Sequence, residues 1–206
     1  MRLTSVLLFI ALMTPPSVNA TILKNEKCPP LKEIARNTLA MHYGHLVIDP
    51  DSGKPFQSIQ QYANSLPVPE RYKKARGIFV TFSKHGKTRA CWGSIYPEYP
   101  DLVKGTVYAT EAALERDYRF GKIKAKELNS LKPQVTVVHS VTPISSLSGQ
   151  DPLQFGLLVK SGGKGAVILP GEARDSFYQL VQCKLKAGIP SAQHCQMYRI
   201  KADVYN

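Results

Sequence analysis

The sequence predicts an α+β domain in which mostly antiparallel strands interleave with helices. Three observations carry this. Strand-like runs recur at 77–82, where apolar residues alternate, and at 88–95, 133–143, 154–160, 165–170 and 196–205. Apolar residues at helical spacing recur at 28–40, 101–117 and 172–187. Glycine-bearing turns, "SKHGK" and "SGGKG", join neighbouring strands closely enough to make them hairpins. At 206 residues, 43% apolar and 20% charged, the chain is long enough to bury one real core.

The first twenty residues are of a different character. "MRLTSVLLFIALMTPPSVNA" has a basic start at Arg2, an apolar run from Val6 to Met13, Pro15 and Pro16, and then small residues. This is the pattern of a secretory signal, with cleavage expected after Ala20 and a mature chain from Thr21. The expectation is a periplasmic or extracellular protein: signal 1–20, lead-in 21–30, folded domain 31–205.

In order, "CPPLKEIARNTLA" reads as a helix whose first turn holds Pro29 and Pro30 and whose buried face is Leu31, Ile34, Ala35, Thr38 and Leu39. Residues 43–70 read as loop, with a short helix at 57–65. "GIFVTF" and "TRACWGSI" form a hairpin. "DLVKGTVYATEAALERD" is a helix starting at Asp101, with Val103, Val107, Thr110 and Leu114 on one face. "KAKELNSL" is a short helix, and "PQVTVVHSVTP" a strand closed by proline. "QFGLLVK" and "GAVILP" form a second hairpin; "SGGKG" lacks the spacing of a phosphate loop and precedes a strand. "EARDSFYQLVQCKLKA" is the last helix, capped by Gly188. Its buried face is expected to be Phe177, Leu180, Val181 and Leu185, with Cys183 reachable from solvent. "QMYRIKADVY" is a terminal strand.

Chemistry concentrates at "TRACWGSIYP", which holds the sole tryptophan and one of four cysteines. On an extended strand Arg89, Cys91 and Gly93 share one face, with Ala90 and Trp92 on the other. A guanidinium two residues from a thiol lowers the thiol's pKa and enriches the nucleophilic thiolate. Equally, Cys91 can be a small buried hydrophobe while Arg89 pairs with a carboxylate such as Asp117. A catalytic cysteine needs a base, and the histidines are His42, His45, His85, His139 and His194. His139, near the end of its strand, is the one that can face a cleft. His42 and His45 have H-x-x-H spacing without an accompanying carboxylate pattern, so no metal site is expected, and no cofactor signature is present. Cys28, Cys91, Cys183 and Cys195 would meet an oxidising compartment, where a Cys183–Cys195 disulfide is favoured over a metal site with His194.

The formal net charge is +12. For an exported chain this points to anionic envelope polymers or lipid headgroups rather than to nucleic acid; the alternative, since the lysines are spread along the chain, is a charge that serves solubility alone.

Several separated motifs, in order, resemble the AMMECR domain family. "GIFVTFSKHGKTRACWG" is similar to the family's G-x-F-V-T-L…G…L-R-G-C-I-G; "ATEAALERDYRF" to A…A-A…D-x-R-F; "KELNSLKPQVTVVHSVTPIS" to E-L…V-S-V-L-x-P; "FGLLVKSGGKGAVILP" to G-L-x-V…G…L-L-P; and "KAGIP" to K-A-G-L-P. "EIAR" fits the family's opening L-A-R, and the resemblance covers roughly 31–205. It implies an α+β fold in two lobes with a groove lined by the arginine–cysteine strand. The matched positions are Arg89, Cys91, Gly93, Asp117, Arg119 and Phe120. Relatives that occur beside Memo-type and radical-SAM-type proteins hint at enzymatic chemistry. This chain departs from the pattern at Ala90, Trp92 and the signal segment.

The expectation is therefore a groove in which Arg89 clamps a small anionic molecule and Cys91 is nucleophile or contact. Gly93, Asp117, Arg119, Phe120 and His139 would line it. The competing expectations are a non-enzymatic cationic module of the cell envelope, and a relic fold without catalysis. The oligomeric state is left open.

Overall fold

A computed structural model describes residues 28–206. The predicted signal segment and its cleavage site lie outside these residues. Helix α1 (Leu31–His42) buries Leu31, Ile34, Ala35, Thr38 and Leu39, the face its spacing predicts. Pro29 and Pro30 precede the helix rather than sit in its first turn. Ser58 caps α2 (Ile59–Ser65) by accepting from the Gln61 amide, and α3 (Glu70–Lys73) is a single turn.

Strands β1 (Ile78–Lys84) and β2 (Lys87–Ser94) follow as a hairpin. Its two-residue turn is His85–Gly86, both with positive φ (50° and 74°), the geometry that matches the twist of paired strands. Helix α4 (Leu102–Glu115) is capped by the Asp101 carboxylate on the Lys104 amide. Ala109, Ala112 and Ala113 let it lie close to the sheet. A 3-10 helix (Ala125–Ser130) leads into β3 (Lys132–Ile144), which runs on through Pro143 instead of stopping at it. Then come β4 (Phe155–Ser161), β5 (Lys164–Ile168), α5 (Ser176–Ala187) and β6 (Gln196–Tyr205).

The six strands form one curled, half-barrel sheet in the order β2-β1-β3-β6-β4-β5, with every neighbouring pair antiparallel. One face carries Val80, Phe82, Val135 and Val137 against α1, α2 and α4. Leu157 and Val159 pack with Cys183 of α5. The opposite face carries Phe79, Cys91, Leu158 and Ile200 and is left open by the helices. The cleft described below lies there.

Two β-bulges interrupt the ladder. On β2, Phe82 pairs with Ala90 and Ser83 with Thr88, so Arg89 has no direct partner. On β3, Val138 pairs with Ala202 and Ser140 with Lys201, so His139 is the extra residue. An extra residue breaks the strict alternation of side chains between faces.

Helix α5 departs most from expectation. Gln179 and Cys183 are wholly buried, and of the expected face Leu180 is half-buried against the Cys183 cluster, while Phe177, Val181 and Leu185 are exposed, as is Tyr178. The inner face is held by polar bonds. Gln179 accepts from the Gln150 amide at 3.0 Å and donates to the Phe155 carbonyl at 2.9 Å. The Cys183 thiol donates to the carbonyls of Ala166 (3.0 Å) and Leu157 (3.3 Å). Cys183 is thus inaccessible, contrary to the wheel-based expectation. All four cysteines are buried free thiols, so the expected Cys183–Cys195 disulfide is not formed.

Candidate functional site

The open face of the sheet holds a cleft of about 510 Å³. Its floor is apolar, made by Phe79, Leu158, Val167 and Leu169. One wall is β2 from Cys91 to Ser94 with the segment Asp117–Arg119; the other carries Lys160 and Lys186.

The β2 wall is organised by an ion pair that stands in for a neighbouring strand. In an antiparallel ladder, backbone groups of successive residues point alternately to the two sides. The outward groups of Cys91 are both taken by side chains. Its N–H donates to Asp117 Oδ2 at 2.8 Å, and its carbonyl accepts from Arg119 Nη2 at 3.1 Å. The side chains of Asp117 and Arg119 in turn bind each other twice, each bond 2.8 Å long, and the Arg119 N–H donates to Asp117 Oδ1 at 3.3 Å. The Asp117 side chain is only 2% exposed. Burial opposes its ionisation, but the Arg119 guanidinium and the Cys91 amide outweigh that and hold its carboxyl below the ordinary value. These bonds engage Nε and Nη2 of Arg119, leaving Nη1 without a hydrogen-bond partner among the described residues.

By the same alternation, the N–H and carbonyl of Gly93 also point outward, one step beyond the capped position. Glycine is required there. Its φ is +156°, and a Cβ would sit 2.1 Å from the Ile78 carbonyl oxygen.

Cys91 is 9% exposed, and its sulfur accepts a hydrogen bond from Thr81 Oγ1 at 3.2 Å. Burial pushes its thiol pKa up; the Thr81 bond and the more distant cations Lys186 and Arg119 only partly offset this. The group at this wall is a neutral thiol.

The expected pairing of Arg89 with Cys91 is corrected. The bulge turns Arg89 out of the cleft toward the 3-10 helix. There it bonds Glu127 Oε1 at 3.1 Å, and the carbonyls of Gly121 (2.7 Å) and Lys122 (2.9 Å). Its carboxylate partner is Glu127, not Asp117. With Nε, Nη1 and Nη2 all bonded locally, Arg89 is an anchor for the 119–127 segment.

Of the other expected residues, Cys91, Gly93, Asp117 and Arg119 meet in the cleft. Phe120 does not line it and lies beneath the Arg119 guanidinium, 5.4 Å from the ring centre. His139 lines a different depression, with Arg76 and Ser140. There Nε2–H donates to Asp203 at 2.6 Å and Nδ1 accepts from Arg76, so neither ring nitrogen is available to Cys91. Sequence reading missed Lys160 and Lys186. Lys160 sits 5.7 Å from the Tyr96 ring and 5.5 Å from the Tyr198 ring, and Lys186 donates to the Val167 carbonyl at 2.7 Å. Neither has a carboxylate partner among the described residues. Lone lysines in strands and helices carry no local signal, so only folding reveals their convergence. Among the described residues no group of three or more metal-ligating side chains forms.

A family-wide sequence profile described as AMMECR1 matches residues 34–206. A protein of Thermotoga maritima is 31% identical over 169 residues, covering 80% of this chain and 89% of its own length. One of Methanothermobacter thermautotrophicus is 28% identical over 156 residues, covering 68% and 79%. The crystal structure of an uncharacterised protein from Pyrococcus horikoshii superposes with a TM-score of 0.62 at 23% identity, over 84% of this chain and 88% of that one, which establishes a common fold. Profile, relatives and fold agree over nearly all the described residues, and the chain belongs to the AMMECR1 family.

Proposed function

We propose that the cleft binds a small anionic molecule with an apolar body, and that Arg119 rather than Arg89 contacts the anionic group. The observation that carries this is the state of Arg119. Two bonds to Asp117 and one to the Cys91 carbonyl fix its guanidinium at the cleft wall and leave Nη1 unused. A pre-oriented donor loses little entropy on binding. Lys160 and Lys186, without carboxylate partners, add positive charge across an apolar floor. Tyr118, 91% exposed at the mouth, offers a ring on which a ligand can stack. The buried neutral thiol supports Cys91 as a contact rather than a nucleophile. The N-terminal sequence supports an exported setting.

The test is titration with small aryl acids, phenylphosphate and benzoate, followed by NMR shifts of the Gly93 and Cys91 amides. Arg119→Met should weaken binding by at least about tenfold, the loss expected for one charge-assisted contact. Arg89→Met should lower stability and weaken binding by less than Arg119→Met, through the segment it anchors rather than through a ligand contact. The reverse pattern, or binding insensitive to Arg119, defeats the proposal.

A further inference from the structure

Helix α5 is apolar on the side that faces solvent. Phe177 is 67% exposed, Tyr178 53%, Val181 40% and Leu185 71%. Phe177, Val181 and Leu185 follow at four-residue intervals, so they form one stripe along the helix, with Tyr178 beside it. Single exposed apolar residues are ordinary, but a continuous stripe of large ones is not. The inner face, tied down by Gln179 and Cys183, leaves the stripe no route into the core.

We propose that the outer face of α5 docks on an anionic lipid bilayer. The charges around the stripe select this occupant. Within Ser176–Ala187 every charged side chain is a lysine: Lys184, which donates to the carbonyls of Ser191 and Gln193, and Lys186, which donates to that of Val167, and neither has a carboxylate partner among the described residues. The nearby acids are turned to backbone: Asp175 accepts from the Tyr178 amide and Glu172 from the Leu169 amide, both at 2.8 Å. Arg174 is exposed just before the helix, and Lys164 reaches its C-terminal end by donating to the Gly188 carbonyl at 2.9 Å. An apolar stripe rimmed by cations is the arrangement that lies in a headgroup layer, with rings and aliphatic chains inserted and lysines at the phosphates. The stripe is one straight helix face, which suits a flat bilayer. A second copy suits it less well: two such faces would bring like charges together in a chain of net charge +12. Lys186 also lines the cleft, so this surface borders the site proposed above; the stripe of Phe177, Val181 and Leu185 does not line it.

The experiment is flotation of the full chain with phosphatidylcholine vesicles containing phosphatidylglycerol, against phosphatidylcholine alone. The full chain is compared with the double variant Phe177→Ser/Leu185→Ser. Both proteins carry the same residues 1–27, so their difference reports α5. Both substituted side chains are exposed, and an unchanged thermal unfolding curve confirms the fold. The expected result is preference for the anionic vesicles, weakened by salt, and at least about tenfold weaker partitioning of the variant. Hydrogen exchange across 176–187 should slow on vesicle binding. Equal partitioning of the two proteins with unchanged exchange in α5 overturns the proposal. So does a dimer abolished by the same substitutions, or binding only to an acidic protein.

Discussion

Cys91 stays a thiol because of where the sheet puts it. The residue lies on the open face, yet Phe79, Leu158 and Leu169 pack around it, and desolvation penalises a charged sulfur more than Thr81 or the remote cations help it. Its alkylation by iodoacetamide near neutral pH should therefore be slower than that of an unstructured cysteine peptide, and should rise only as pH climbs beyond the ordinary thiol range. Peptide mass spectrometry of timed samples reads this directly; a rate above the reference would mean that a thiolate occupies the cleft. Cys28 and Cys183, both pushed up to about 11 by burial, should be at least as slow. Gly93 sets a steric limit on the same wall. An alanine there meets the backbone of Ile78 and Phe79, contacts that no flexible side chain can relieve. Gly93→Ala should cost about 3 kcal/mol in urea unfolding, from strained backbone together with displacement of β1.

At the level of elements, α5 shows how an amphipathic pattern can point outward. Gln179→Ala should destabilise by about 1–3 kcal/mol, because it strands buried groups of Gln150 and Phe155. Leu185→Ser should change stability by no more than about 0.5 kcal/mol, the range for exposed positions. Urea titration of the two variants separates this arrangement from the expected one, in which Leu185 would be the costly residue. The contrast explains what the sequence disclosed. The α1 face was legible because every apolar residue expected on it packs inward, and β6 took the bounds expected of it, Gln196–Tyr205. The same wheel failed on α5, where hydrogen bonds to β4, β5 and the 150–155 loop outweigh side-chain hydrophobicity. Alternation likewise located β2 and β3 but misplaced Arg89 and His139, since each is the extra residue of a bulge and a bulge leaves no local sequence mark. Arg119, and Asp117 as a cleft residue rather than a partner of Arg89, were legible only through the family motif; their placement against Cys91 depends on the loop after α4 running along the edge of β2.

Across the whole molecule, the cleft wall depends on a junction outside the cleft. Glu127 on the 3-10 helix accepts from Arg89 at the β2 bulge and from Lys84 at the end of β1, and it also caps the amide of Lys124. These bonds hold the 117–127 segment to the hairpin, and that segment carries the Asp117–Arg119 pair. The hydrogen bonds from Arg89, Lys124 and Lys84 pull the Glu127 carboxyl from its usual 4.5 down to about 2. The folded value is the lower one, so the stabilisation is fully present above the unfolded value. It declines as pH falls and is gone once the folded carboxyl protonates near 2. Glu127→Gln, which cannot ionise, should therefore have a lower Tm than the parent at neutral pH, and the gap should close between about pH 4.5 and 2. Thermal unfolding of both proteins across that window tests it. Because the junction also positions Arg119, the variant should bind the aryl acids more weakly at neutral pH even where it is fully folded. A variant with parental affinity would show that the Asp117–Arg119 pair holds its place on β2 without support from the junction.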